Sequence, residues 1–188
     1  MSDIIKPSTG LIYMKVGIHA GEDFNGILER KKEEIRQTGM SFWGYGGGTC
    51  HPIHQVQPFA KMKILEGNNI YLVMEQIDSH SPPTILVAQD YSVDGITWLP
   101  IPDKIIVRGS RYAIILDKLE EGDLDIDLAE YEVAYGPSRG KQASEYIKGH
   151  VDKACLNIRP NVSTDHVKVE KRISQMARLK DPYAVLVR

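Results

Sequence analysis

The chain has little of several things, and each shortage removes a class of protein. Only 2 of its 188 residues are cysteine, Cys50 and Cys155. That is too few for a disulfide framework, so nothing argues for an oxidising compartment. No run approaches the roughly 18 uncharged apolar residues that read as a membrane-spanning helix. The opening Met1-Ser-Asp-Ile-Ile-Lys-Pro7 lacks the basic stretch and following apolar segment of a secretory leader. The expectation is therefore a soluble, cytoplasmic protein with no membrane partner. Internal repeats, low-complexity segments and linker-like stretches are missing as well, which predicts one domain over residues 1–188. Zinc-finger spacing and the aromatic run of an RNA-recognition motif are absent and the isoelectric point is near 6.3, so nucleic acid is not indicated.

What is present is enough apolar sequence, 42% against 26% charged residues, to bury a real core. The net charge of -2 hides an asymmetry. Residues 1–138 carry 12 lysines and arginines against 20 acids, and residues 139–188 carry 11 against 5. Such polarity draws an anionic partner to the carboxy-terminal part, or lets the two segments face each other in the fold or in a homodimer.

Periodicity divides the chain into strands and helices. Residues 11–19 are rich in β-formers and read as a strand. Phe24, Ile27, Leu28 and Ile35 repeat at helical spacing after Asp23, a good N-cap, and before Gly39, which predicts a helix over 24–37 with a solvated outer face at 29–34. A short strand from Ser41 runs into a glycine loop, and Pro58 opens a helix that Gly67 closes. Residues 70–77, 84–89, 96–99, 104–107, 112–116 and 126–134 read as strands between turn signals, the clearest being Asp94-Gly95 and Gly109-Ser110. That spacing predicts an antiparallel meander. Ala143, Tyr146, Ile147, Val151, Ala154, Cys155 and Ile158 repeat at steps of three and four and predict a long amphipathic helix. Two strands follow, at 167–173 and 184–187. The fold class expected is α+β, a mostly antiparallel and curved sheet with two or three helices on one side.

Two glycine-containing segments carry the functional reading. Trp43-Gly-Tyr-Gly-Gly-Gly-Thr-Cys-His51 exposes backbone N–H groups between aromatics, although it matches neither a Walker A loop nor a dinucleotide fingerprint. Gly136-Pro-Ser-Arg-Gly-Lys141 precedes the predicted long helix, where backbone donors and the helix dipole favour an anion. The leading expectation is a module that binds an anionic small molecule, a nucleotide or nucleotide-like metabolite. Gly46, Gly47, Gly48, Thr49 and Ser138 would supply donors, Arg139 and Lys141 charge, and Trp43 or Tyr45 a stacking surface.

The alternative is a hydrolase or transferase with His19, Glu22 and His51 as catalytic groups, and with zinc held by a set drawn from His19, Cys50, His51 and His54. Pro52 argues against a regular helix through His51 and weakens that metal set. Cys155 belongs to the buried stripe. The acidic alternation of Asp123, Asp125 and Asp127 reads as a solvated strand face or charged sheet edge. A third reading is a protein-interaction module that works through its charged segments.

Overall fold

The computed structural model describes residues 9–80 and 86–188; the start of the turn expected at Pro7-Ser-Thr-Gly10, the turn at Ser81-Pro-Pro83 and the first two residues of the strand expected at 84–89 lie outside them. Strand β1 (Leu11–Ile18) leads into α1 (Phe24–Thr38). Its N-terminus is closed by Asp23, whose carboxylate accepts from the Gly26 N–H at 2.7 Å. Gly39, at φ +76°, ends it in the left-handed conformation that glycine adopts without a Cβ clash. Next come β2 (Ser41–Tyr45), a π-helical turn (Pro52–Val56) that runs directly into α2 (Gln57–Leu65), and β3 (Tyr71–His80).

Asp94-Gly95 does turn the chain between the short strands β4 (Asp90–Ser92) and β5 (Leu99–Pro100), with Asp94 capping the Ile96 and Thr97 N–H groups. The long strand β6 (Tyr112–Asp127) ends in a 3-10 turn (Leu128–Glu130) and β7 (Tyr131–Val133). A single-turn helix α3 (Ala143–Tyr146), β8 (Lys153–Ile158) and β9 (Glu170–Val187) complete the chain.

The main sheet runs β2-β6-β9-β3-β1-β8-β7, with β1 and β3 parallel and every other pairing antiparallel; β4 attaches to β9 and carries β5. The α+β class holds, while the meander does not. β6 pairs with β2 and β9 rather than with its sequence neighbours, so non-local register replaces hairpin order. Residues 104–107 and 86–89 form no strand, although Val87 makes an isolated bridge with Arg108. Helices occupy both faces. Ile12 and Val16 of β1 pack with α1 and α2 in one cluster, and Leu11 and Tyr13 pack with α3 in another. That division follows from the two-residue period of a strand buried on both sides.

The predicted long helix is the main correction. Only Ala143–Tyr146 is helical, Gly149 turns at φ +57°, and Lys153–Ile158 is a strand between β1 and β7. Ala154 and Leu156 fall in the core of one face and Cys155 in that of the other. Burial on both faces erases polar alternation, and the remaining apolar residues then imitate a helical stripe.

The face of α1 read as solvated is corrected in part. Lys31 and Glu34 are both buried, and Glu34 also accepts from the Ser41 hydroxyl and the Ile106 N–H. The acidic and basic segments meet within the chain: Asp125 lies in register with Arg172 and Ile126 with Lys171, and the Arg172 guanidinium pairs with Asp123 and Asp125.

Candidate functional site

A cavity of about 460 Å³ opens where the end of β1, the first turns of α1, β2, the 106–110 segment and the start of β8 converge. Its construction begins with a tight turn. Ala20 and Gly21 both have positive φ, +53° and +79°, and reciprocal backbone bonds join His19 and Glu22 at 3.1 and 2.9 Å. A two-residue turn with both φ values positive reverses the chain sharply. It sets His19 and Glu22 together on the cavity wall.

Glu22 is then clamped by α1. Arg30 donates through Nε to Oε1 at 3.0 Å and through Nη2 to Oε2 at 2.6 Å, a bidentate pair that fixes the carboxylate plane. Burial raises the Glu22 pKa, but the Arg30 hydrogen bonds and the charges of Arg30 and Arg108 outweigh it and hold the carboxyl below its ordinary range. The Nη1 of Arg30 also reaches Glu34 at 3.0 Å and the Ile106 carbonyl at 2.8 Å. Lys31 binds that same carbonyl at 2.8 Å and the Phe42 carbonyl at 2.6 Å. A segment without regular structure is thus tied to α1 and β2 by charged groups.

This tether delivers Arg108. Its Nη1 lies 3.9 Å from Glu22 Oε1, its carbonyl is 3.2 Å from His19 Nε2, and its buried Nε has no hydrogen-bond partner. A buried N–H without an acceptor is rare and costs about 1–3 kcal/mol. Lys153 stands on another wall. Its Nζ donates to Asp152 Oδ2 at 2.6 Å and lies 5.2 Å from the Tyr45 ring centroid. Asp152 is also bonded by the Thr49 hydroxyl; burial raises its pKa, and the Lys153 and Thr49 hydrogen bonds reverse that and lower it. Lys15, Arg30, Lys31, Arg108 and Lys153 face the cavity against Glu22 and Asp152, so the wall carries an excess of positive charge. Trp43, Met14, Val16, Ile27 and Val107 supply apolar surface beside it.

Close backbone packing shapes the same space. A Cβ on Gly17 would lie 2.4 Å from Ser79 Oγ and 2.5 Å from its carbonyl oxygen, and one on Gly44 would lie 2.7 Å from Ser110 Oγ. These two glycines admit neighbouring strands and loops that no side chain would allow.

The residues singled out from the sequence divide accordingly. His19, Glu22, Trp43 and Gly46 line the cavity, but Trp43 is only 3% exposed and packs in the core, so it does not present the open stacking face expected of it. Thr49 reaches it through Asp152. Tyr45 is fully buried, its hydroxyl donating to the Cys50 carbonyl at 3.0 Å, so it is core rather than an open stacking face. A Cβ on Gly47 would meet the Tyr112 ring, whereas Gly48 is clear of other groups. Ser138, Arg139 and Lys141 are not on the cavity wall. Their loop folds on itself, with Gly140 N–H bonding Val133 O and Lys141 N–H bonding Ser138 O. The long helix that would have aimed a dipole from there is not formed.

His51 and His54 stack at 4.4 Å between centroids, and His51 Nε2 lies 3.2 Å from the Tyr112 hydroxyl. Burial and then the charge of His54 push the His51 pKa down. The proposed zinc set of His19, Cys50, His51 and His54 does not converge. Among the described residues, the three metal-capable groups that do are Asp127, Glu130 and His166. His166 donates from Nδ1 to the Ser163 carbonyl at 2.7 Å and meets Asp127 Oδ2 through Nε2 at 2.5 Å, which ties the 163–169 loop to the end of β6.

Sequence reasoning misses Arg108 and Lys153. Arg108 falls between the strand expected at 104–107 and the Gly109-Ser110 turn, and Lys153 lies in the stretch expected to be helical, so neither stands out as a cation beside a cavity. The class that fold and site define is an α+β protein with a cationic, partly apolar cavity. Comparison of the chain with protein-family models, curated proteins and solved structures finds no match.

Proposed function

We propose that this protein binds an anionic small molecule in the cavity at the end of β1, a nucleotide or nucleotide-like metabolite with an acidic group and a planar body. The observation that carries the reading is the buried Nε of Arg108, a cationic donor without an acceptor beside the positive wall. An incoming phosphate or carboxylate would supply that acceptor and form charge-assisted hydrogen bonds with Arg108 and Lys153. The apolar part of the lining, from Met14 and from Trp43, which is itself only 3% exposed, gives the rest of the ligand a surface to cover. The volume falls within the roughly 300–1,000 Å³ of small-molecule sites. The cations are those of the cavity, in place of Arg139 and Lys141.

Calorimetric titration with nucleoside monophosphates and diphosphates, the matching neutral nucleosides and inorganic phosphate tests this reading. Saturable binding of a nucleotide that the neutral nucleoside does not reproduce, weakened in Arg108→Ala, is the expected result. Equal or absent response to all four would overturn it.

The placement of His19 on the same wall supports a second reading, a hydrolase or transferase acting on such a ligand. Glu22 would then position rather than transfer a proton, because Arg30 holds it ionised. His19→Ala separates the two: it abolishes turnover in an enzyme and only dents affinity in a binder.

A further inference from the structure

The two cysteines of the chain are 105 residues apart in sequence and meet in the core, with Sγ atoms 3.4 Å apart. We propose that Cys50 and Cys155 form a reversible oxidation site, a dithiol that closes to a disulfide when a peroxide reaches Cys50. A disulfide bond is about 2.05 Å long, so closure asks the sulfurs to approach by about 1.4 Å. Cys50 can supply that movement. It sits at the end of the 46–50 glycine loop at φ +49°, outside any strand or helix, whereas Cys155 is fixed in β8 between β1 and β7.

The two sulfurs are not equivalent. Cys50 is 5% exposed and Cys155 1%, which makes Cys50 the one a small oxidant meets first. The Cys155 sulfhydryl bonds to Cys50 and lowers its pKa despite burial, with Tyr45 and the Lys153 charge adding to the effect, while burial pushes the Cys155 thiol up. Thiolate is the reactive form, so the same residue is both nearer solvent and more nucleophilic.

The Cys50 thiolate attacks one oxygen of hydrogen peroxide. The O–O bond breaks, an S–O bond forms, and the departing hydroxide takes up the Cys50 proton as water. Cys155 sulfur then attacks the Cys50 sulfenic sulfur, the S–O bond breaks, and hydroxide leaves with the Cys155 proton as a second water. Two thiols and one peroxide become one disulfide and two waters, the sulfurs giving up the two electrons that the peroxide gains. The new bond would tie the glycine loop to β8 two residues beyond Lys153, adding a covalent link to the contact that Thr49 already makes with Asp152.

The test is intact-mass and peptide-mapping analysis of the folded wild-type protein treated with a small excess of hydrogen peroxide, unfolded in iodoacetamide and digested without reductant. Expected are joint loss of both alkylatable thiols, a mass decrease of about 2 Da for two hydrogen atoms, a Cys50–Cys155 cross-linked peptide, and full reversal by dithiothreitol. In Cys155→Ser, which keeps a hydroxyl able to donate to Cys50 while removing the resolving sulfur, Cys50 should halt as a sulfenic acid that dimedone traps. Retention of both thiols under conditions that oxidise the urea-unfolded chain would overturn the proposal. So would independent oxidation to sulfinic or sulfonic acid, or disulfides only between chains.

Discussion

Lys31 and Glu34, one turn apart on α1, form an ion pair at 2.9 Å with both side chains almost wholly withdrawn from water. Glu34 also accepts from Arg30, Ser41 and the Ile106 N–H. Glu34→Ala would leave Lys31 buried without its carboxylate and release the 106–108 segment. Breaking a buried pair from one side costs about 3–5 kcal/mol. Urea denaturation of the variant should show a loss of that order; a loss within the range of an exposed pair would mean that the network does not hold the segment.

Arg108 is the group whose removal should separate ligand binding from stability. Its Nε has no protein partner and its Nη1 only a 3.9 Å approach to Glu22, so Arg108→Ala should leave the thermal midpoint nearly unchanged. A hydrogen bond to a charged group is worth about 1.5–3 kcal/mol, which corresponds to about ten- to hundredfold weaker anion binding. Calorimetry on the variant checks both expectations. Unchanged affinity would exclude Arg108 from the site.

Gly17 lines the cavity where β1 runs beside Ser79 of β3. A methyl group there meets the Ser79 carbonyl oxygen at 2.5 Å, and backbone cannot rotate away as a side-chain tip can. Overpacking of this kind costs about 1–3 kcal/mol. Gly17→Ala should therefore lower the thermal midpoint, and Gly48→Ala, where the added methyl meets nothing, should not.

Asp127 and His166 predict a pH dependence. The Asp127 hydrogen bond and then the Ser163 carbonyl raise the His166 pKa above its ordinary 6.5. The folded state thus holds this proton more tightly than the unfolded chain. The stabilisation is fully present below the unfolded pKa and is lost as pH rises through the raised folded value. Denaturation of wild type and His166→Gln at a series of pH values from below 6.5 upward should show wild type losing its advantage with rising pH; parallel curves would show that the pair contributes nothing.

Much of the local structure was legible because its causes are local. Asp23 and Gly39 bracket α1 through a side-chain cap and a left-handed residue, and Asp94-Gly95 turns β4 toward β5 through hydrogen bonds within a few residues. Part of the candidate site was legible for the same reason. His19, Glu22, Trp43 and Gly46 sit in two short segments whose composition is unusual in itself. Arg108 and Lys153 were not, because an arginine in an irregular segment becomes part of a wall only when Arg30 and Lys31 of α1 bind the Ile106 carbonyl, and a lysine beside Asp152 becomes buried only when β8 enters the sheet.

The sequence by itself determined that apolar periodicity would build an α+β core, where α1 begins and ends, and that glycine and aromatic residues would cluster after β2. Only the tertiary structure decided that residues 153–158 are a strand, since a segment buried on both faces loses the polar alternation that marks strands. It alone decided that the acidic strand β6 lies against the basic strand β9 and that Cys50 meets Cys155. Those outcomes depend on which distant backbone groups pair, and strand pairing across a hundred residues is fixed by the combined packing of the sheet.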